Sequence, residues 1–187
     1  MNRIVLPAEP LVDGPTALRP WRDSDLSGLV AACQDREISR WTRAPWPYRE
    51  ADARAYLLQR YDTLHAAVSA PFAIVCATSA QLLGSISLMR LAWDDARGEV
   101  GYWLAREARG HGHATRGVRL ICRWGFGLLG LERIDLLAAT DNRASQRVAE
   151  RAGFAREAVL RSFMLGRDGR QDMVAYGLLA REAKIPL

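Results

Sequence analysis

Long apolar runs are missing from this chain of 187 residues. No stretch approaches the roughly 18 residues that a membrane-spanning helix needs. Within residues 1–15 the only apolar stretch is residues 4–6, which is too short for the core of a signal peptide. The sequence therefore predicts a cytoplasmic protein without a membrane partner.

Cysteine is scarce, and the cysteines present form no pattern. Cys33, Cys76 and Cys122 are odd in number, far apart and set among apolar neighbours. They are expected to be reduced thiols, because nothing resembles a zinc-ligand spacing. His111 and His113 could chelate an ion together, but no third ligand is apparent. We expect no metal.

A block of basic residues is also absent, although the chain is basic. The 26 basic and 21 acidic residues give a net charge of +5, spread over scattered arginines. Such a surface suits an anionic partner: a phosphorylated cofactor, an acidic substrate or RNA. Only the isoelectric point supports RNA binding, since the chain lacks an aromatic-basic RNA motif.

The order of predicted elements indicates the fold class. Residues 1–15, with three prolines, form an N-terminal arm, and residues 16–187 form one domain. The order is strand, two helices, three strands, helix, strand, helix and two strands, with Asp23 capping the first helix and residues 41–48 forming a loop. This predicts an α+β fold with a mixed, mostly antiparallel central sheet of about seven strands and helices on both faces.

A short glycine-containing loop precedes the longest helix, which is predicted over residues 113–129. Gly110 and Gly112 let the main chain turn and approach a ligand without a Cβ in the way. The first amides of the helix have no internal partners and suit a phosphate, and Arg109 adds a charge. The loop is therefore predicted to hold a phosphate or pyrophosphate. It lacks the spacing of a P-loop or a Rossmann fingerprint.

The same loop carries a family resemblance. Arg109-x-x-Gly112-x-Ala114 matches the Arg/Gln-x-x-Gly-x-Gly/Ala signature of the GNAT acyltransferases. Further motifs in the right order resemble the RimJ/RimL-type branch, and together they cover roughly residues 16–180. They lie at residues 18–21, 25–26, 99–104, 131–134, 142–145 and 150–154.

This resemblance implies acetyl-CoA as co-substrate and a role for each matching segment. The strand at Trp103 and Leu104 would bind the pantetheine arm and polarise the thioester carbonyl. Asn142 and Ser145 would face the pantetheine and its thiol end. The pyrophosphate would be held by the main-chain amides of Arg109, Gly110, His111, Gly112, His113, Ala114 and Thr115.

Transfer to an amine also needs a base and an acid. Glu99 is the candidate base, acting through water, and the alternative is a salt-bridged or capping surface carboxylate. Many relatives protonate the thiolate with a tyrosine five residues before the Gly-Phe pair, where this chain has Val148. Ser145 can supply a hydroxyl instead, or it can simply bond to the cofactor.

The acceptor is the least determined part of the resemblance. Trp41, Trp46 and Tyr48, together with Glu99, would line its pocket, although the three aromatic residues could equally pack a long loop onto the core. The expected acceptor is a primary amine, either a protein N-terminus, as in a ribosomal protein, or a small molecule. The alternatives are a larger acyl donor such as succinyl-CoA and a CoA-binding module without turnover. Monomer and homodimer both stay open.

Overall fold

A central sheet with helices on both faces forms the body of the protein. The structure is a computed structural model that describes residues 4–167 and 169–183. Its strands are β1 (Leu11–Asp13), β2 (Thr16–Arg19), β3 (Ser69–Cys76), β4 (Leu82–Ala92), β5 (Arg97–Leu104), β6 (Arg133–Ala139), β7 (Ala155–Gly166) and β8 (Gly169–Leu179). Its helices are α1 (Leu26–Ala32), α2 (Arg36–Trp41), α3 (Glu50–His65), α4 (His113–Leu129) and α5 (Arg143–Ala152).

The strand order confirms the predicted mixed, mostly antiparallel sheet. Among the described residues the order is β1-β2-β3-β4-β5-β6-β8-β7, and only β5 and β6 pair in parallel. The described part of the sheet has eight strands rather than about seven, because β1 lies within the predicted arm and pairs with β2. Residues 1–3 of that arm lie outside the described residues, but Ile4 is buried against the main core.

Alternating side chains divide the strands between two cores. Leu18 packs on the α4–α5 side, whereas its neighbour Ala17 packs on the α1–α3 side. The α4–α5 core is the larger and includes Phe72, Ile74, Ile86, Leu88, Val100, Val118, Ile121, Ile134, Leu136 and Tyr176. The α1–α3 core includes Trp21, Leu29, Cys33, Ile38, Tyr48, Ala53, Leu57 and Val75.

Helix α4 has the bounds that the sequence predicts, residues 113–129. It begins after Gly112 and ends at Gly130, whose positive φ angles of 80° and 66° suit residues without a Cβ. Gly125 brings the helix close to the sheet, since a Cβ there would lie 2.8 Å from Leu88 Cδ1. The sheet therefore fixes where the first turn of α4 lies.

The segment between β2 and α3 differs from the prediction. Asp23 is not the cap of α1: it begins a short 3₁₀ turn, in which Asp25 accepts two hydrogen bonds from Arg19, at 2.7 and 2.8 Å. Trp41 ends α2 and so belongs to a helix rather than a loop. Asp35 caps α2 by accepting a hydrogen bond from the amide of Glu37.

Candidate functional site

The loop before α4 presents a row of free main-chain amides. Gly110 and Gly112 have φ angles of +83° and +80°. Arg116 is the first residue after the loop whose amide finds a main-chain acceptor, the carbonyl of Gly112 at 3.1 Å. Within the described part of the chain, the amides of residues 110–115 donate to no protein acceptor. They stand at the positive end of a 17-residue helix and fit a diphosphate.

The Arg109 side chain does not add its charge to this loop as the sequence predicts. Its Nη2 lies 2.8 Å from the carbonyl oxygen of Leu104 and 2.7 Å from Asp35 Oδ2, so Asp35 compensates the charge. Sequence reasoning missed Arg116, whose Nη1 donates to the carbonyl of His111 at 3.0 Å. The loop therefore offers main-chain amides that suit an anion, with Arg116 as the nearby cation.

The two loop histidines contribute no metal site in this structure. His113 Nδ1 shares a hydrogen bond of 2.8 Å with Thr16 Oγ1. Burial lowers the pKa of His113, and Arg116 and His111 lower it further. Among residues 4–167 and 169–183, no group of three or more His, Cys, Asp or Glu side chains could hold a metal ion.

Beside the loop, β5 and β6 separate and leave a wedge-shaped gap. Their pairing covers only Arg97–Glu99 with Arg133–Asp135. From residue 100 onward β5 pairs with β4 alone, up to Leu104 opposite Gly84. The edge of β5 at Trp103 and Leu104 thus faces the gap, where an extended ligand can run along it like an added strand.

Two hydroxyl groups meet across this gap. Tyr102 Oη of β5 lies 2.9 Å from Ser145 Oγ of α5, and the two groups share a hydrogen bond. Burial raises the pKa of Tyr102 to about 12. Asn142 caps α5 by accepting from the Ser145 amide at 3.1 Å. Val148 packs against the apolar core, so the helix offers no hydroxyl at that position.

On the opposite side of the sheet lies a cavity of about 340 Å³ that contains Glu99. Helices α1–α3 leave this part of the sheet open, so Glu99 and Asp135 are only half-buried. Apolar side chains of Leu137, Leu160 and Phe163 complete the lining. The cavity is open to a small molecule from this side, whereas the loop before α4 lies on the other side of the gap.

Both carboxylates in the cavity are held by arginines. Arg90 Nη1 lies 2.6 Å from Glu99 Oε2. Asp135 contacts Arg97 at 3.3 Å and Arg133 at 2.7 Å. Burial raises the pKa of Glu99, and the Arg90 charge opposes that rise. Glu99 is therefore a salt-bridged carboxylate whose proton affinity is nevertheless above the ordinary value, as a base requires.

The aromatic residues predicted for the acceptor pocket do not line the cavity of Glu99. Tyr48 is only 7% exposed and packs in the α1–α3 core. Trp41 donates its Nε1 hydrogen to Glu37 at 3.0 Å, and Trp46 is exposed. None of the three is among the described residues that line the cavity. The tip of the β7–β8 hairpin contacts the loop between α2 and α3, because Arg167 Nη2 donates a hydrogen bond to the Ala44 carbonyl at 3.1 Å.

Comparison with known proteins agrees with these features. Residues 16–155 match the family described as "Acetyltransferase (GNAT) domain", and the chain belongs to that family. The chain is 38% identical over 101 residues to the putative ribosomal N-acetyltransferase YdaF of Bacillus subtilis. The matched segment covers 54% of this chain and 55% of that protein. The matched region thus spans about half the length of this curated relative.

Solved structures show the same fold. A structure titled "Probable acetyltransferase" is 26% identical, with a TM-score of 0.82 over 91% of this chain and 96% of that one. Mycobacterium smegmatis RimJ, in complex with CoA-disulfide, is 18% identical, with a TM-score of 0.83 over 91% and 84% of the two chains. In the described part of this chain, no helix is both long and apolar enough to cross a membrane.

Proposed function

We propose that this protein is an N-acetyltransferase that moves the acetyl group of acetyl-CoA to a primary amine by direct attack in a ternary complex. One observation carries the proposal: the free amides at the start of α4 lie beside a gap in the sheet that leads to the cavity of Glu99. A diphosphate on those amides would leave the pantetheine arm to run along Trp103 and Leu104. Positioning of this kind accounts for much of the rate in such transfers.

The residues around the gap have distinct roles in this proposal. Acetyl-CoA supplies the activated acyl group. Glu99 accepts a proton from the amine, directly or through water, and Arg90 keeps that carboxylate in place at 2.6 Å. Ser145 places a hydroxyl at the thiol end, and Asn142 fixes Ser145 by capping the helix that carries it.

The charges in the cavity bear on the acceptor. Each carboxylate already contacts a guanidinium: Glu99 contacts Arg90, and Asp135 contacts Arg97 and Arg133. A second cationic group on the acceptor would therefore find no unoccupied carboxylate among these residues. This favours a single amine next to neutral or anionic groups, such as a peptide N-terminus or an amino acid, over a polyamine. The name of the relative YdaF, a putative ribosomal N-acetyltransferase, supports a ribosomal acceptor.

The test measures thiol release from acetyl-CoA with N-terminal peptides, free amino acids and spermidine as acceptors. We expect turnover with the first or second class and none with spermidine. Tight CoA binding without turnover for any amine would instead support a CoA-binding module. Faster turnover with succinyl-CoA than with acetyl-CoA would identify the larger acyl-CoA as the donor. A homodimer and a cytoplasmic location stay predictions, which gel filtration and cell fractionation would test.

A further inference from the structure

In the proposed function Ser145 faces the thiol of CoA, so the hydrogen bond between Tyr102 and Ser145 would lie beside the departing sulfur. Tyr102 is three residues after Glu99 on β5, so the two side chains leave the strand on opposite faces. The gap opens directly after the last β5–β6 pair, between Glu99 and Asp135. A thioester held at the gap would therefore have a carboxylate on one side and two hydroxyl groups on the other.

Cleavage of a thioester by an amine requires a proton for the leaving thiolate. The position on α5 that offers a hydroxyl in many relatives holds Val148, one helical turn after Ser145 and packed into the core. Tyr102 brings a hydroxyl to that turn of α5 from the other side of the gap, 2.9 Å from Ser145 Oγ. The chain thus retains a phenol beside the thiol site, although on a different element.

We propose that Tyr102 is the general acid of the transfer and that Ser145 orients its hydroxyl; this rests on the proposed function. The amine nitrogen forms a bond to the acyl carbon, and the carbon–sulfur bond breaks with its electron pair on sulfur. The Tyr102 proton passes to that sulfur, and the proton lost by the amine passes to Glu99. Solvent then returns a proton to Tyr102 and removes one from Glu99, so the cycle closes.

The environment of Tyr102 keeps the hydroxyl in the form that the proposal needs. Burial raises its pKa to about 12, and the hydrogen bond with Ser145 opposes that rise. The phenol is therefore protonated throughout the neutral range. Ser145 Oγ can accept a hydrogen bond from the phenol in the resting state and donate one to the phenolate after the proton has been transferred.

A matched pair of variants separates catalysis from structure. Tyr56 shares a 2.9 Å hydrogen bond with Ser85 on the α1–α3 side of the sheet, opposite the side on which Tyr102 packs, and burial raises its pKa too. Tyr102→Phe and Tyr56→Phe therefore each remove one half-buried tyrosine–serine bond. We expect Tyr102→Phe to lower kcat by about 100-fold with the KM for acetyl-CoA within about twofold, and Tyr56→Phe to leave kcat unchanged.

A second readout does not depend on turnover. Ultraviolet absorbance of the thiolate follows the titration of the thiol of bound CoA in wild type and both variants. A nearby donor favours the thiolate, so we expect Tyr102→Phe alone to titrate at a higher pH than wild type. Equal kcat in the two variants, or identical thiol titrations, would overturn the assignment. A wild-type protein that fails to bind acetyl-CoA would instead overturn the proposed function.

Discussion

The candidate functional groups on the two faces of the sheet differ in kind: they are main-chain amides on one face and charged side chains on the other. On the α4–α5 face the candidate cofactor loop before α4 consists of main-chain groups: free amides of residues 110–115 and two glycines with positive φ. Its core contains apolar side chains such as Phe72 and Ile121. Such a loop works with almost any side chain on its other positions, which is why one short motif predicts it.

The α1–α3 face has an apolar core too, but it also carries charged side chains that need particular partners. Arg19, Asp25 and Arg60 are buried there, and Glu99 and Asp135 meet arginines in the open cavity. Changing one member of such a pair leaves the other without compensation. The comparison teaches that the loop before α4 depends on main-chain geometry, whereas the α1–α3 face depends on particular pairs of side chains.

The largest expected effect tests whether the fold needs the buried ion pair of the α1–α3 face for its stability. Asp25→Ala removes the two hydrogen bonds and the charge compensation that Asp25 gives Arg19, and we expect the free energy of unfolding to fall by about 3–5 kcal/mol. Asp23→Ala is the control, because its side chain is 94% exposed and lies 3.7 Å from Arg60. Denaturant titration that shows equal losses would contradict the comparison.

The pKa of Asp25 also determines the direction in which acid changes the stability of the protein. Burial would raise the pKa of Asp25, but hydrogen bonds from Arg19 and the Arg22 amide hold it below the ordinary 3.8. A depressed folded pKa means that the stabilisation is present above pH 3.8 and is lost as the pH falls through the folded pKa. Asp25→Ala should therefore lose less stability on acidification than wild type does.

Removal of the candidate base comes next in size. We expect Glu99→Gln to lower kcat by about 100-fold or more and to leave the affinity for acetyl-CoA unchanged, because the carboxylate lies on the acceptor side. Glu157→Gln is the control, since Glu157 contacts Arg133 and belongs to the same sheet outside the cavity. Steady-state kinetics with kcat within about twofold of wild type would remove Glu99 as the base.

The sequence predicts the fold well where local chemistry decides it. Helix α4 has an amphipathic period and a glycine at each end, and its bounds are correct. Helix α2 was missed because its six residues depend on the Asp35 cap and on burial of Ile38. Strand β1 has three residues, too few for an alternating pattern, and exists because β2 pairs with it. Short elements need tertiary partners that no local signal contains.

The candidate site divides in the same way. The loop of free amides followed from Gly110 and Gly112, since their positions report main-chain geometry. The contact of Arg90 with Glu99 did not, because it depends on an irregularity in β4 and a φ of 52° at Arg90. Nor did the contact of Tyr102 with Ser145, which joins residues 43 apart across the gap.

Blocking the main-chain loop should have a large but smaller effect than removing the base. Gly112→Val places a branched side chain at a φ of +80° and a Cβ 2.7 Å from Arg116 Nη1. Strain of about 1–3 kcal/mol should weaken CoA binding roughly 5- to 150-fold. Gly127→Val is the control, as nothing lies within 4 Å of a Cβ there. Calorimetry showing wild-type affinity for Gly112→Val would contradict the loop assignment.

The smallest expected effect tests how far the contact of Arg90 with Glu99 sets the pKa of Glu99. Arg90 lowers the pKa of Glu99 against the effect of burial, so Arg90→Gln should raise that pKa. The acidic limb of the pH–rate profile then moves to higher pH, because Glu99 must lose its proton before it can act as base.

Arg97→Gln sharpens this test, since Arg97 has the weakest of the effects on Glu99 and contacts Asp135 instead. We expect a smaller displacement of the acidic limb than in Arg90→Gln. Equal displacements would mean that the cavity acts on Glu99 through its total charge. The 2.6 Å contact with Arg90 would then matter for the position of Glu99 and not for its proton affinity, and the α1–α3 face would be less particular than its geometry indicates.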